Sequence, residues 1–80
     1  MELATSRQLW KLNDLANKRF DLIAVAEIYG NPPVDESLTH IPMPLSKKAA
    51  SGLIANLIQN VDLLDQWVTA HRPVAPAVAN

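Results

Sequence analysis

The stretch SKKAASGLIANLIQNVDLLDQWVTA, residues 46–70, decides the fold class of this chain. Its apolar side chains recur three or four residues apart, which places them on one face of an α-helix. They are Ala50, Leu53, Ile54, Leu57, Ile58, Val61, Leu64 and Val68. The hydroxyl of Ser46 can accept amide protons of the first turn, so a helix from roughly 47 to 70 is predicted. A division into two helices at Asn60 is the alternative.

A second helical segment lies near the N-terminus, with Thr5 or Ser6 as the predicted N-cap. Its apolar residues fall within about 80° of one another at 100° per residue, which predicts a helix that buries one narrow stripe. These residues are Leu9, Leu12, Ala16 and Phe20. The next residues mix alanines with β-branched types, and we interpret them as a second, well-buried helix that ends in a left-handed C-cap at Gly30. A strand over residues 20–29 is the alternative.

Four of the six prolines lie in residues 31–45, at Pro32, Pro33, Pro42 and Pro44. Each proline fixes its own φ and favours an extended residue before it, so an ordered, extended connector is predicted. The expected fold is therefore all-α, a small three- to four-helix domain with a proline-rich extended connector. This single domain is expected over residues 1–71, followed by a flexible Pro/Ala tail over residues 72–80.

The predicted core joins the apolar stripes of the first and last helical segments, since each stripe otherwise has nothing to cover it. Its expected members are Leu9, Leu12, Ala16, Leu53, Ile54, Leu57 and Val61. A chain of 80 residues is too short for a two-lobed enzyme and supports only one thin core. No apolar stretch approaches the roughly 18–20 residues of a membrane span, and the N-terminus has no signal-peptide pattern, so we expect a cytoplasmic protein.

Catalysis has little support in the sequence. The absence of cysteine excludes disulfides, thiolate nucleophiles and cysteine-based zinc sites. His40 and His71 have no metal-ligand spacing, and the two glycines cannot form a phosphate-binding glycine loop. We therefore expect no enzymatic activity, no catalytic residues, no metal and no cofactor.

A basic face on the first helix is a better functional candidate. Arg7, Lys11 and Lys18 project within about 40° of one another, opposite the apolar stripe, and Trp10 lies on the flank. This arrangement can place cations along phosphates while the indole packs on a sugar or base. Asp14 can pair with Lys18 at i+4, which reduces the charge of the face. A solvated amphipathic face is the alternative interpretation.

Lys47 and Lys48 are unusual because they lie in the first turn of a helix, where cations are unfavourable by roughly a few tenths of a kcal/mol each. Together with the Ser46 hydroxyl and the free amides, they predict a phosphate site. The equal alternative is that both side chains cover apolar surface and extend into water. The candidate nucleic-acid-binding residues are Arg7, Trp10, Lys11, Lys18, Ser46, Lys47 and Lys48.

Two segments of the chain resemble a known motif pair. Ala4-Thr5-Ser6-Arg7-Gln8-Leu9 is similar to an A-T-x-K/R-Q-hydrophobic opening, and residues 45–54 are similar to an L-T/S-K-x-E-A-S-x-L-I segment. Both occur in small proteins of actinobacteria and their phages, although Ala49 stands where Glu is usual. The helix, extended connector, helix order resembles that of SAP-like domains. Because such domains generally bind DNA, the resemblance implies a DNA-associated accessory protein.

The function expected first is that of a non-catalytic phage-type or actinobacterial accessory protein that binds DNA or RNA weakly through a local basic patch. The net charge of −1 excludes attraction by bulk charge, so a local patch is required. The alternative is a protein–protein interaction module, either a phage factor that binds or inhibits a host protein or a homo-oligomerising adaptor. A homodimer interface is expected at Leu64, Trp67 and Val68, which should extend beyond the reach of a shorter first helix.

Overall fold

The computed structural model describes residues 2–72, in which the chain forms two long α-helices. Helix α1 spans Ser6–Tyr29, helix α2 spans Lys47–His71, and a one-turn 3-10 helix spans Glu36–Leu38 between them. The all-α class is confirmed. The expected count of three to four helices is wrong, because the segment before Gly30 continues α1 instead of forming a separate helix. The predicted tail lies outside the described residues, apart from Arg72.

Helix α1 is continuous over 24 residues because nothing within it interrupts the backbone hydrogen bonds. It ends at Gly30, as predicted, and the Gly30 N–H donates to the Ala26 carbonyl at 3.1 Å. Gly30 has φ 155° and ψ −146°, which is not the left-handed helical conformation expected. Residues with a Cβ rarely adopt this conformation, so glycine is the residue suited to this chain reversal. The strand alternative for residues 20–29 is excluded.

Helix α2 is a single helix that passes through Asn60 without a break. The two helices lie parallel: residues near the start of α1 contact residues near the start of α2, and residues near the end of α1 contact residues near the end of α2. Arg19 is hydrogen-bonded to Asn60 near the middle of the pair, and Gly30 lies next to Trp67 at the far end. Residues 30–46 therefore return the chain along the helix pair from the end of α1 to its beginning.

This connecting segment is not extended throughout, because the 3-10 helix interrupts it. The Asp35 side chain caps that turn by accepting a hydrogen bond from the Ser37 N–H at 3.0 Å. Leu38 and Leu45 are buried, and Ile41 packs against the same core. The connector is thus anchored by apolar side chains on one side of the helix pair.

The core is built from leucines of both helices and of the connector. Its buried members are Leu12, Leu15, Leu38, Leu45, Ala50 and Leu57, with Leu53 and Ile54 packed against them. The predicted core is right for Leu12 and Leu57 but wrong for Leu9, which is 37% exposed, while Ala16 and Val61 are half-buried.

The predicted α1 stripe is also wrong at Phe20, which is 72% exposed. The buried residues of α1 are Leu12, Leu15, Arg19 and Ala26. They follow the alternating three- and four-residue spacing with which helices pack side by side at small angles. Arg19 is the charged residue among these buried positions. A search for apolar residues therefore passed over this stripe and favoured the neighbouring one that contains Leu9 and Phe20. No helix within residues 2–72 is long and apolar enough to cross a membrane.

Candidate nucleic-acid interface

Both helices begin at the same end of the molecule, and this end gathers most of the predicted binding residues. The Ala4 N–H donates to the Leu45 carbonyl at 2.9 Å, and the Lys47 N–H donates to the Glu2 carbonyl at 2.8 Å. The segments that precede the two helices are therefore joined. We call this region the basic end and define it by Arg7, Gln8, Trp10, Lys11, Ser46, Lys47 and Lys48.

Gln8 links the two helix starts. Its N–H donates to the Thr5 hydroxyl and its side-chain oxygen accepts from the Thr5 N–H, both at 3.0 Å, which completes a capping box. Its Nε2 then donates to the Lys47 carbonyl at 3.1 Å. One side chain thus caps α1 and also positions the first turn of α2.

The first turn of α2 differs from the predicted phosphate site. The Ser46 hydroxyl caps the helix as expected by accepting from the Ala49 N–H at 3.0 Å, and the Lys47 N–H is bonded to Glu2. The Lys47 Nζ also lies 3.5 Å from a carboxylate oxygen of Glu2. Because two of the three first-turn amides are already bonded, the helix terminus offers less to an anion than the sequence suggested.

Of the candidate cations, Lys18 and Lys47 form salt bridges with carboxylates, whereas Arg7, Lys11 and Lys48 form none within residues 2–72. Lys18 forms the predicted ion pair with Asp14 at 3.4 Å, and it lies eleven residues from Arg7, or about 16 Å along the helix. Lys18 is therefore not part of the basic end. Within residues 2–72, no carboxylate lies within salt-bridge distance of Arg7, Lys11 or Lys48.

Two shallow depressions lie at the basic end, and Gln8 lines both. One, of about 310 Å³, is lined by Thr5, Arg7, Gln8, Trp10, Lys11 and Ile54. The other, of about 710 Å³, is lined by Glu2, Gln8, Ser46, Lys47, Lys48 and Ser51. Trp10 is 67% exposed beside two cations, so its indole is accessible to a planar partner. Of the seven predicted residues, Arg7, Trp10 and Lys11 line the first depression, Ser46, Lys47 and Lys48 line the second, and Lys18 lines neither.

Arg19 is a buried polar residue that the sequence reasoning missed. Its side chain is only 6% exposed. Nε donates to the side-chain oxygen of Asn60 at 2.7 Å, and Nη2 donates to the Asp35 carbonyl at 2.7 Å. These are short hydrogen bonds from a cation to neutral acceptors, and they tie α1 to α2 and to the connector. Its spacing from Leu12 and Leu15 was the signal that would have placed it in the interface.

Arg19 also lines the floor of a groove between α1 and the connector. This groove has a volume of about 440 Å³, and its lining includes Phe20, Ile23, Glu27, Val34, Glu36 and His40. No group of three or more potential metal-ligating side chains occurs within residues 2–72. The groove combines an apolar wall with two carboxylates and is chemically unlike the basic end.

Asp35 is the residue of the connector with a shifted pKa. Hydrogen bonds from the Ser37 hydroxyl at 2.6 Å and the Ser37 N–H at 3.0 Å lower the pKa of this carboxyl. Slight desolvation opposes the shift, and the positive charge of Arg19 adds to it. Asp35 therefore stays ionised to a lower pH than an isolated aspartate.

The dimer interface expected near the end of α2 assumed that α1 is too short to cover Leu64, Trp67 and Val68, and this assumption is wrong. Leu64 is fully buried and Val68 is 9% exposed within the single chain. Trp67 is half-buried; it packs against Gly30, and its ring stacks on that of His71 with centroids 3.9 Å apart. Helix α1 is nearly as long as α2, so it reaches this part of α2 and no second copy is needed there.

Compared with known proteins, the chain matches no family model, no curated protein and no solved structure. Its structural class is therefore described from its fold and its candidate site. Within residues 2–72 it is an all-α domain of two parallel helices, with a connector along one side and a cluster of cations and one exposed tryptophan at one end.

Proposed function

We propose that this chain is a non-catalytic accessory protein that binds nucleic acid weakly through its basic end. One observation carries the proposal: the helices are parallel and begin side by side, so cations from both act on the same region. Arg7 and Lys11 come from α1, whereas Lys47 and Lys48 come from α2. Each helix alone contributes only two of these four cations.

The resemblance described above supports the same proposal. The two motif segments, residues 4–9 and 45–54, are far apart in sequence but supply five of the seven residues of the basic end. This agrees with a shared role for the two segments in phage or actinobacterial proteins, and DNA is the partner that the SAP-like order favours. The cytoplasm is the compartment in which such a protein would meet its ligand.

The electrostatics of the basic end point to low affinity. Lys47 is already paired with Glu2, so three cations without a salt bridge are available to phosphates. Binding in the range of roughly 10⁻⁴–10⁻⁶ M is expected, with log K falling by about 2–3 for each tenfold rise in salt. Trp10 adds a stacking surface that tolerates any base, so little sequence preference is expected.

Fluorescence anisotropy with short labelled single- and double-stranded DNA and RNA at low salt tests this proposal. Lys48→Glu should weaken binding strongly and reduce its salt dependence, because it reverses one of the three unpaired cations. Arg72→Glu is the matched control, since it makes the same charge change just beyond the other end of α2. The proposal fails if the parent does not bind at low salt, or if the two variants weaken binding equally.

A protein–protein interaction module is the second candidate, and a specific observation favours it. Trp10, Val25 and Ile58 are large apolar side chains that are 67%, 40% and 41% exposed. Such a module includes a phage factor that binds or inhibits a host protein. Capture from host lysate with and without nuclease separates the candidates, because a direct protein partner survives nuclease and a nucleic-acid-bridged one does not.

A further inference from the structure

The connector covers only one side of the helix pair. It forms one groove with Phe20 and Ile23 of α1, and its residues Pro33 to Asp35 form another with Gln59 and Leu63 of α2. The opposite side is formed by the other flanks of the helices, as their 100° periodicity requires. We call this side the open face and define its apolar residues as Leu22, Val25, Ile54, Ile58 and Val61.

The open face is apolar and partly accessible. Val25 is 40% exposed and Ile58 is 41% exposed, and the other three residues are half-buried between them. Arg7, Lys11 and the Asp14-paired Lys18 project toward this face from α1, and Arg7 and Lys11 share a depression with Ile54 at the basic end. An apolar face of this kind on a small domain commonly marks an interaction surface.

Charge is segregated along the same helices. Their first halves, residues 6–18 and 47–56, contain five cations and one carboxylate, whereas their second halves contain four carboxylates and the buried Arg19. The carboxylates of the second halves are Asp21, Glu27, Asp62 and Asp65, of which Glu27 lines the groove on the connector side. Counting Glu2 with the first halves and Arg72 with the second halves, which they flank, the two sets of halves carry net charges of +3 and −2.

We propose that the open face docks a second copy of this chain in antiparallel orientation, forming a symmetric dimer. An antiparallel copy places the basic first halves of one copy's helices against the acidic second halves of its partner's helices, so both pairs of halves attract. A parallel copy would place ends of like charge together. The apolar residues supply the contact and the charges select the orientation.

The symmetry fixes which residues meet. In an antiparallel face-to-face dimer the two-fold axis crosses the helices at right angles, so α1 faces α1 and α2 faces α2 of the partner, as in a four-helix bundle. In the proposed dimer the two-fold axis lies at the level of the Arg19–Asn60 hydrogen bond, near the middle of both helices. Ile58 lies two residues from Asn60 and therefore contacts its own counterpart.

This dimer does not depend on nucleic-acid binding. The paired copy covers Arg7 and Lys11, so a polyanion and a second copy compete for these side chains. Different variants test the two proposals, because the apolar residues of the open face are not part of the basic end. Failure of one proposal is therefore distinguishable from failure of the other.

Sedimentation equilibrium of the full chain, up to high micromolar concentration, tests the open face. The parent should dimerise, and Ile58→Glu should weaken the dimer at least tenfold. Leu63→Glu is the matched control, because Leu63 is also exposed on α2, at 49%, but lies on the connector side. Circular dichroism establishes that both variants are folded. A monomeric parent, or equal weakening by both variants, would overturn the proposal.

Spin labelling tests the orientation, and the absence of cysteine makes a single label simple to place. Ala49 is exposed and lies eleven residues before Asn60, so an Ala49→Cys label sits about 16 Å from the two-fold axis along the helix. In the antiparallel dimer the two labels are about 33 Å apart along that direction. Added salt should also weaken this dimer. A label separation well below this value, or a dimer strengthened by salt, contradicts the antiparallel arrangement.

Discussion

Arg19 on α1 and Asn60 on α2 are joined by a buried hydrogen bond of 2.7 Å, from Nε to the side-chain oxygen, and this bond sets the register of the two helices. A polar pair among apolar interface residues is satisfied in one alignment only, so a shift by one helical turn leaves a buried cation without its acceptor. The second bond of Arg19, to the Asp35 carbonyl, holds the connector in the same alignment.

Removing the acceptor should therefore destabilise the fold. Asn60→Ala is expected to lower the free energy of unfolding by about 1–3 kcal/mol, because a buried guanidinium N–H loses its partner. Urea unfolding measures the change, and Asn56→Ala, on an exposed position of the same helix, is the control. The double variant Arg19→Met, Asn60→Leu should lose less than the sum of its single variants. Strict additivity would contradict coupling between the two residues.

The two glycines should respond to alanine in opposite directions. Gly30→Ala is expected to cost about 1–3 kcal/mol, because φ is 155° and a Cβ would lie 3.4 Å from the Trp67 ring. Gly52→Ala should stabilise α2 by about 0.5–1 kcal/mol, since a Cβ there meets nothing within 4 Å. Thermal unfolding of the two variants measures both effects. A neutral Gly30→Ala would show that the backbone at this position relaxes freely.

Leu57 tests the shared core. Its side chain is fully buried between the helices and the connector, so Leu57→Ala should cost about 2–5 kcal/mol. For a domain of this size, such a loss unfolds the chain at moderate temperature. Leu63→Ala, at a 49% exposed position of the same helix, should cost much less. Equal melting curves for these two variants would be incompatible with the core described above.

Asp35 should make folding dependent on acid pH. Because its pKa is lowered in the folded state, its ionised form contributes stability above the pKa of the unfolded chain. That contribution is lost as the pH falls through the lowered pKa. Ser37→Ala removes the largest cause of the shift and should raise the pKa of Asp35, measured by NMR titration of the carboxyl carbon. Ser51→Ala, remote from this turn, should leave the pKa of Asp35 unchanged.

Features that depend on neighbours in the chain were predictable from the sequence. The N-cap at Ser46, the end of α1 at Gly30 and the ion pair between Asp14 and Lys18 each involve groups within a few residues of one another. The periodicity of residues 47–70 was sufficient for α2, because one apolar face dominates that segment. Local propensity and spacing determine such features before any tertiary contact forms.

The buried face of α1 was not predictable in this way. Its apolar residues fit two stripes, one containing Leu9 and Phe20 and the other containing Leu15 and Ala26, and only packing against α2 selects the second. That selection includes Arg19, whose partner Asn60 lies 41 positions away in the sequence. No local pattern encodes a bond over that separation.

The same division applies to the candidate site. The sequence identified the cations of the basic end by residue type and helical spacing, whereas the parallel packing of the helices decided which of them meet. Lys18 does not belong to the basic end, because helix α1 holds it about 16 Å from Arg7 along the helix axis. The phosphate site at Lys47 loses one amide to the local Ser46 cap and a second to the Glu2 carbonyl, and only the second loss comes from the pairing of the residues before α1 with those before α2. Residue chemistry and local geometry were determined by the sequence alone, but the side chains of distant segments acquire neighbours only when burial of apolar surface brings the helices together.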